Sequence, residues 1–253
     1  GYFGDRSTAH GAGSGFVSLT AGSVGGVSTT VQIARGFRDP VLSDRYFRGP
    51  SGRGFITGNP DLNPETSFQI DLGIRYTSAR VRGATYVYQY RLDDLIERYA
   101  TDTDFFFFRN RGRARLRGIE AELQATLGWG LSLETAFQSA RGRALDDETS
   151  LDDVTPETFS AQLRKAFGMR GAFAQMRTAV FAEDTRPGPT ERAVPGYILV
   201  DAGGGIMVFK ELELRVSARN LLNARYFASQ DLRTVAAPGR SVSVSAAVRL
   251  GRR

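Results

Sequence analysis

Cysteine is missing from the 253 residues, and the one histidine is His10. The first absence excludes disulfides, thiolate catalysis and cysteine-ligated metals. The second leaves hydrolytic chemistry without a base. A nucleophile needs one beside it, and His10 stands in a glycine-rich stretch, where it reads as an exposed bystander. Long apolar runs are missing too. No window approaches the ~18 uninterrupted apolar residues of a transmembrane helix. A transmembrane barrel survives that test, because its strands alternate and average to a polar composition. Helical periodicity is equally scarce. Asp93-Asp-Leu-Ile-Glu97 has room for one helical turn, but it lies between β-patterned segments and reads as a strand end.

What is present is a two-residue rhythm. In Glu211-Leu-Glu-Leu-Arg-Val-Ser-Ala-Arg219, Leu212, Leu214, Val216 and Ala218 alternate with charged or hydroxylated residues. A period of two means a strand with one dry face and one wet face. The same rhythm predicts strands over about 15–24, 27–37, 68–76, 80–98, 105–127, 131–141, 155–167, 172–183, 197–208, 211–221 and 241–250. The chain is therefore all-β. Charged residues are 24% and apolar ones 41%, with a net charge of +6. That excess suits nucleic acid. It suits a wet arginine-lined face or an anionic ligand equally well, because the basic residues are scattered over alternating positions.

The connections alternate in length. Short ones fall at 25–26, 77–79, 128–130, 168–171 and 209–210; long ones fall at 38–65, 99–104, 142–154, 184–195 and 222–239. An up-and-down meander whose two ends face different compartments produces this sorting, as outer-membrane barrels do. A Greek-key sandwich has no reason to. Most strands run to about ten to thirteen residues, long for soluble strands of ~5–6 and right for a tilted crossing of ~9–11. Aromatic residues (Tyr76, Trp129, Phe167, Tyr197, Phe209, Tyr226, Phe227) gather near strand ends, where interfacial girdles belong. The energetics fix the register. A one-residue slip would turn Arg215 and Arg219 into lipid, at roughly 2–4 kcal/mol each near the midplane.

Two boxes stand out: Ala34-Arg-Gly-Phe-Arg-Asp-Pro40 and Gly58-Asn-Pro-Asp-Leu-Asn-Pro-Glu65. With Asn110-Arg-Gly112, Arg117-Gly-Ile-Glu-Ala-Glu122 and Ala218-Arg-Asn-Leu-Leu-Asn-Ala-Arg-Tyr226, they closely resemble the β-barrel domain of TonB-dependent outer-membrane receptors. The resemblance covers about residues 15–250 in order. It implies a transmembrane β-barrel of about 22 strands filled by an N-terminal plug. It implies active uptake of a scarce solute, such as a ferric siderophore or cobalamin, across the outer membrane of a Gram-negative bacterium. Energy would come from the TonB complex, gripped through an N-terminal part not seen in this sequence. Covalent chemistry, a cofactor, a resident metal and nucleic acid are not expected. The family-motif positions here are Phe37, Arg38, Asp39, Pro40, Asn59, Pro60, Asp61, Leu62, Pro64 and Glu65. The Asn-Pro pairs suit a structural role, since proline biases its predecessor toward extended backbone and Asn favours turns.

The sequence departs from the family pattern in three ways. Plug and TonB box are absent, about eleven strands is half the family's count, and Val248-Arg-Leu-Gly-Arg-Arg253 lacks a terminal aromatic. An odd half-sheet would leave edges unpaired in lipid, and the start at Gly1-Tyr-Phe-Gly-Asp5 is neither signal peptide nor initiator methionine. The expectation is the C-terminal half of a receptor barrel. The long loops would form the ligand mouth, with Arg38, Tyr46, Arg48, Arg53, Arg186 and Arg192 available to an anionic solute. Haem receptors of this family often carry an iron-ligating histidine between the two boxes. Residues 41–57 contain none, which disfavours haem. The acids Asp146-Asp-Glu148 and Asp152-Asp153 supply calcium-type oxygens but lack a dedicated loop spacing, so they read as solvated. Two rivals fit less well: a passive porin or adhesin, and a soluble β-sheet binding protein.

Overall fold

The computed structural model describes residues 10–52, 54–102 and 104–248. Strand β1 (Gly15–Val24) turns through Gly25-Gly26 into β2 (Val27–Arg38). Both glycines have positive φ, 60° and 85°, which L side chains rarely adopt. A long connection follows. It holds a five-residue helix, α1 (Leu42–Tyr46), and a small hairpin of β3 (Arg48–Ser51) with β4 (Gly54–Thr57). Then come β5 (Glu65–Thr77), β6 (Val81–Asp102), β7 (Phe105–Gly128) and β8 (Leu131–Ala144). The chain finishes with β9 (Thr158–Ala166), β10 (Phe173–Phe181), β11 (Tyr197–Met207), β12 (Leu212–Arg219) and β13 (Ser241–Val248).

Eleven of these strands form one antiparallel meander in the order β1-β2-β5-β6-β7-β8-β9-β10-β11-β12-β13, and β4 adds a short parallel pairing to β7. The count of thirteen thus exceeds the expected eleven by the β3–β4 hairpin, which glycine and proline conceal in the sequence. Strands β1 and β13 are each paired on one side among the described residues, and both are exposed along their whole length. The wall is a partial barrel with two open edges.

Register sorts the side chains onto two faces. On β5, Phe68, Ile70, Leu72, Ile74 and Tyr76 are 37–44% exposed despite being apolar. The pairings carry that face across neighbouring strands, through Val31 and Ile33 on one side and Val87, Ile119, Phe137 and Phe159 on the other. It ends on Leu214, Val216, Val242 and Val244. A continuous exposed apolar face this large has no place in water. With every inner strand hydrogen-bonded on both sides, it is a wall for hydrocarbon. The opposite face is polar and carries two close fits. An added Cβ at Gly73 would stand 3.2 Å from the Tyr86 ring, and one at Gly118 would clash with Tyr88, its cross-strand partner. Each tyrosine lies over the glycine opposite it.

Two expected boundaries move. Residues 99–104 are not a long loop, because β6 and β7 run 22 and 24 residues. At ~3.3 Å per residue they outreach the bilayer by a wide margin, so the hairpin itself supplies the tall structure. The stretch Asp93–Glu97 lies inside β6, with Asp94 at φ 55°. Buried apolar side chains are few, and most of them (Leu62, Ile96, Phe106, Ala114, Ala144, Val194) lie at this loop end, the crown of the wall.

Candidate functional site

The crown is held by charge-assisted hydrogen bonds. Arg38, at the end of β2, donates to Asp44 of α1 at 3.2 Å, to Glu65 of β5 at 3.4 Å and to the Ile96 carbonyl of β6 at 3.2 Å. Glu65 also accepts the Ile96 N–H at 3.0 Å. One guanidinium thus joins two strands and the helix of the long connection. Arg45, 5% exposed, donates to the Leu62 carbonyl at 3.1 Å and reaches Asp39 at 3.5 Å. Asn59 donates to the Phe108 carbonyl at 3.1 Å. Asn63 and Asn110 exchange bonds of 2.7 and 2.9 Å. The two sequence boxes are therefore the fasteners of residues 38–65. Pro40 and Leu62 are buried, Pro60 and Pro64 half-buried, Asp61 and Phe37 exposed.

The other connections are tied to one another. Asp152 accepts the Thr190 N–H at 3.0 Å, and Glu191 accepts the N–H groups of Asp153 at 2.8 Å and Gly188 at 2.9 Å. Gln230 donates to Asp184 at 2.8 Å and to the Val154 carbonyl at 3.2 Å. Arg233 closes the ring, bonding the Gly52 carbonyl at 2.9 Å and pairing with Asp104 at the β6–β7 tip. Where these segments meet is a cavity of about 200 Å³ lined by Arg98, Asp104, Phe106, Thr190, Asp231, Leu232 and Arg233. The Arg98 guanidinium lies 5.2 Å from the Phe106 ring centre. No sequence cue singled out Arg98, Asp104 or Arg233, because their partners are up to 181 residues away.

Of the six expected contact residues, Arg38 and Arg192 serve as ties. Arg192 donates to the Thr234 carbonyl at 2.8 Å and stacks on Phe227 at 3.9 Å. Tyr46 ends α1 half-buried, and Arg48 opens β3, exposed, 6.0 Å from the Phe55 ring centre. Arg186 lies apart from them, on a second, larger cavity with Arg117 and Arg141. Arg53 lies outside the described residues.

Arg111 sits at the heart of the β6–β7 crown, 7% exposed. It donates to Glu97 at 3.0 Å and to Thr149 at 2.6 Å, and pairs with Asp147. Bonds from the Thr149 N–H and hydroxyl, then Arg111, hold the Asp147 carboxyl below its ordinary range. Glu191 moves the other way. Burial raises it, with Asp152 and Asp153 adding to the rise, against the two backbone donors that lower it. Among the described residues no group of three or more His, Cys, Asp or Glu is arranged to hold a metal.

A family model for the TonB dependent receptor-like beta-barrel matches residues 8–221. The hemoglobin and hemoglobin-haptoglobin-binding protein A of Haemophilus influenzae is 25% identical over 87% of this chain and 23% of its own length. Among solved structures, the copper transporter OprC superposes with a TM-score of 0.81 at 19% identity, over 93% of this chain and 39% of that one. The ferric enterobactin receptor PfeA of Pseudomonas aeruginosa, in a G324V mutant, gives 0.69 at 19% identity, over 93% and 40%. The FrpB iron transporter of Neisseria meningitidis gives 0.72 at 15%, over 91% and 38%. This chain spans about a quarter to two fifths of the proteins it matches.

Proposed function

Since the chain belongs to the TonB-dependent receptor-like β-barrel family, and so to the outer membrane of Gram-negative bacteria, we propose that it forms wall and mouth of a receptor that imports a ferric siderophore or a similar scarce solute. Energy comes from the TonB complex, engaged through a part of the protein outside this sequence. The observation that carries the reading is the division of the sheet: an apolar exposed wall below, and above it a crown whose connections are fastened into one polar rim. The names of PfeA and FrpB, an enterobactin receptor and an iron transporter, favour iron. Arg48 and Tyr46, on the segment that Arg233 ties to the rim, are assigned to solute contact, with Arg53 added on sequence position. Arg38 and Arg192 hold the rim, and the role of Arg186 lies elsewhere. The absence of histidine from residues 41–57 argues against haem held by a histidine there. The protein acts by binding and passage, without covalent chemistry.

The test is uptake of radioactive iron, presented on a panel of siderophores, by cells whose only receptor is the intact protein. Uptake of one or more is expected, abolished when TonB is deleted, and weakened in affinity by Arg48→Ala with Tyr46→Phe. Uptake that continues without TonB, or no uptake of any iron complex, overturns the reading.

A further inference from the structure

The outward face carries a feature that solute import does not use. On β7, Arg115 and Arg117 have the same strand parity as Ile119 and Leu123. On β8, Arg141 and Arg143 share the parity of Leu133 and Phe137. Register sets Arg115 opposite Arg143, Arg117 opposite Arg141, and Arg91 of β6 opposite Arg115. Five arginines on three adjacent strands therefore face outward, above the apolar band. Ten residues separate Leu131 from Arg141, about 33 Å along a strand. At a tilt of ~40° that is about 25 Å of height, the thickness of the apolar band of such barrels. The cluster stands where the hydrocarbon of the outer leaflet gives way to headgroups.

Like charges directly opposite each other across a ladder are destabilising, so the arrangement needs a counter-charge. Protein supplies little of it. Arg143 pairs with Glu148 at 3.4 Å, while Arg91, Arg115, Arg117 and Arg141 make no ion pair among the described residues. A cavity of about 610 Å³ opens over Arg115, Arg117, Arg141 and Arg143. It is bordered by Glu148, by Glu157, which accepts from the Ser139 hydroxyl at 3.0 Å, and by Glu183 and Asp184. Asp184 is turned away to Gln230. Guanidinium forks bind phosphate in bidentate fashion.

We propose that this outer-wall arginine cluster binds the phosphate-bearing headgroup of a lipid in the outer leaflet. The acyl chains of that lipid lie on the apolar face directly below, at Ile119, Phe137 and Phe159. Continuity between cluster and band selects a lipid over a soluble phosphate, because only a lipid satisfies both at once. The site anchors the β6–β8 part of the wall at a fixed height in the membrane.

The experiment is native mass spectrometry of the intact protein in detergent, titrated with bis-phosphorylated lipid A, phosphatidylcholine and inorganic pyrophosphate. Lipid A is expected to bind in preference to both, and to be released as ionic strength rises. The quadruple variant R115Q/R117Q/R141Q/R143Q is expected to lose at least about tenfold in apparent affinity, given the attraction each basic residue contributes near a charged surface. Arg164→Gln with Arg177→Gln, on the opposite face, is expected to bind lipid A as the wild type does. Should the quadruple variant fail to assemble, R117Q/R141Q and the salt titration of the wild type decide. Equal lipid A binding by wild type and arginine variants overturns the proposal. So does binding indifferent to salt, or pyrophosphate binding as tight as lipid A.

Discussion

The wall and the crown of this molecule are built by different interactions. In the wall, side-chain bonds between strands are sparse, as with Thr20 to Thr30 at 2.9 Å and Ser217 to Ser243 at 2.7 Å. Cohesion comes from the backbone ladder, whose groups find no other partner in hydrocarbon, and from which face meets lipid. In the crown much of the backbone outside the β6–β7 hairpin is irregular, and ionised side chains carry the connections: Arg38, Arg111 and Arg233 each bind two or more groups from distant segments, and Arg45 ties Asp39 to Leu62 within residues 38–65. Apart from close fits such as Gly118 under Tyr88, the wall asks of each position chiefly the right polarity at the right parity. The crown depends on particular side chains meeting particular partners. A damaged wall should fail to assemble, whereas a damaged crown should leave the barrel standing.

The largest effect belongs to the wall. Leu123→Arg sets a charge in the outward band and is expected to cost roughly 2–4 kcal/mol. Gln124→Arg, one residue on and facing Glu134 across the ladder, should cost little. Urea unfolding in lipid vesicles measures both, and equal losses would erase the distinction between the faces. Next comes the crown. Arg111→Met strands Glu97 only partly, since Arg109 still holds it at 2.8 Å. A loss of about 1–2 kcal/mol is expected, felt as faster hydrogen exchange at 145–150 with the lower wall unchanged. Exchange that quickens throughout would mean the crown and wall are one cooperative unit.

The smallest effect is on pH, and its sign differs between two crown ties. Asp147 titrates below its ordinary 3.8 in the folded state, so its contribution is present above that value and lost as pH falls through the lowered one. Glu191 titrates above its ordinary 4.5, so its contribution is fully present below that value and lost as pH rises through the raised one. Acidification should therefore loosen 145–150 and tighten 186–192. Amide exchange of the two segments across about pH 3 to 6 reads the opposition, and parallel responses would refute it.

The same contrast explains what the sequence discloses. Strands β5 and β12 are legible residue by residue, because a membrane wall demands alternation of polarity along the chain itself. Strand β6 is legible only to Arg98. Beyond it, Thr101 and Asp102 have loop composition, and they extend the strand because β7 continues opposite, with Tyr99 against Phe107 and Asp102 against Phe105 across a register shift at Thr101. Helix α1 is one turn with apolar Val41 at its N-cap, which offers no side-chain cap, although the Asp44 carboxylate accepts the Val41 N–H at 3.3 Å. It has neither period nor cap signal to find. Arg38 stood out by its box, but its partners Asp44, Glu65 and Ile96 are 6, 27 and 58 residues off. No local pattern could have distinguished a fastener from a solute contact.

The central claim is that odd and even positions of each wall strand meet different media, and one measurement addresses it directly. The chain has no native cysteine, so single cysteines at Leu72, Leu123 and Val216, and at Asp71, Gln124 and Arg215, can each carry a fluorophore in the intact protein reconstituted in lipid. Nitroxide-bearing lipids should quench the first three and spare the second three, while an aqueous quencher in the lumen does the reverse. Quenching that ignores parity, or that favours Asp71, Gln124 and Arg215 from the lipid side, would contradict the account.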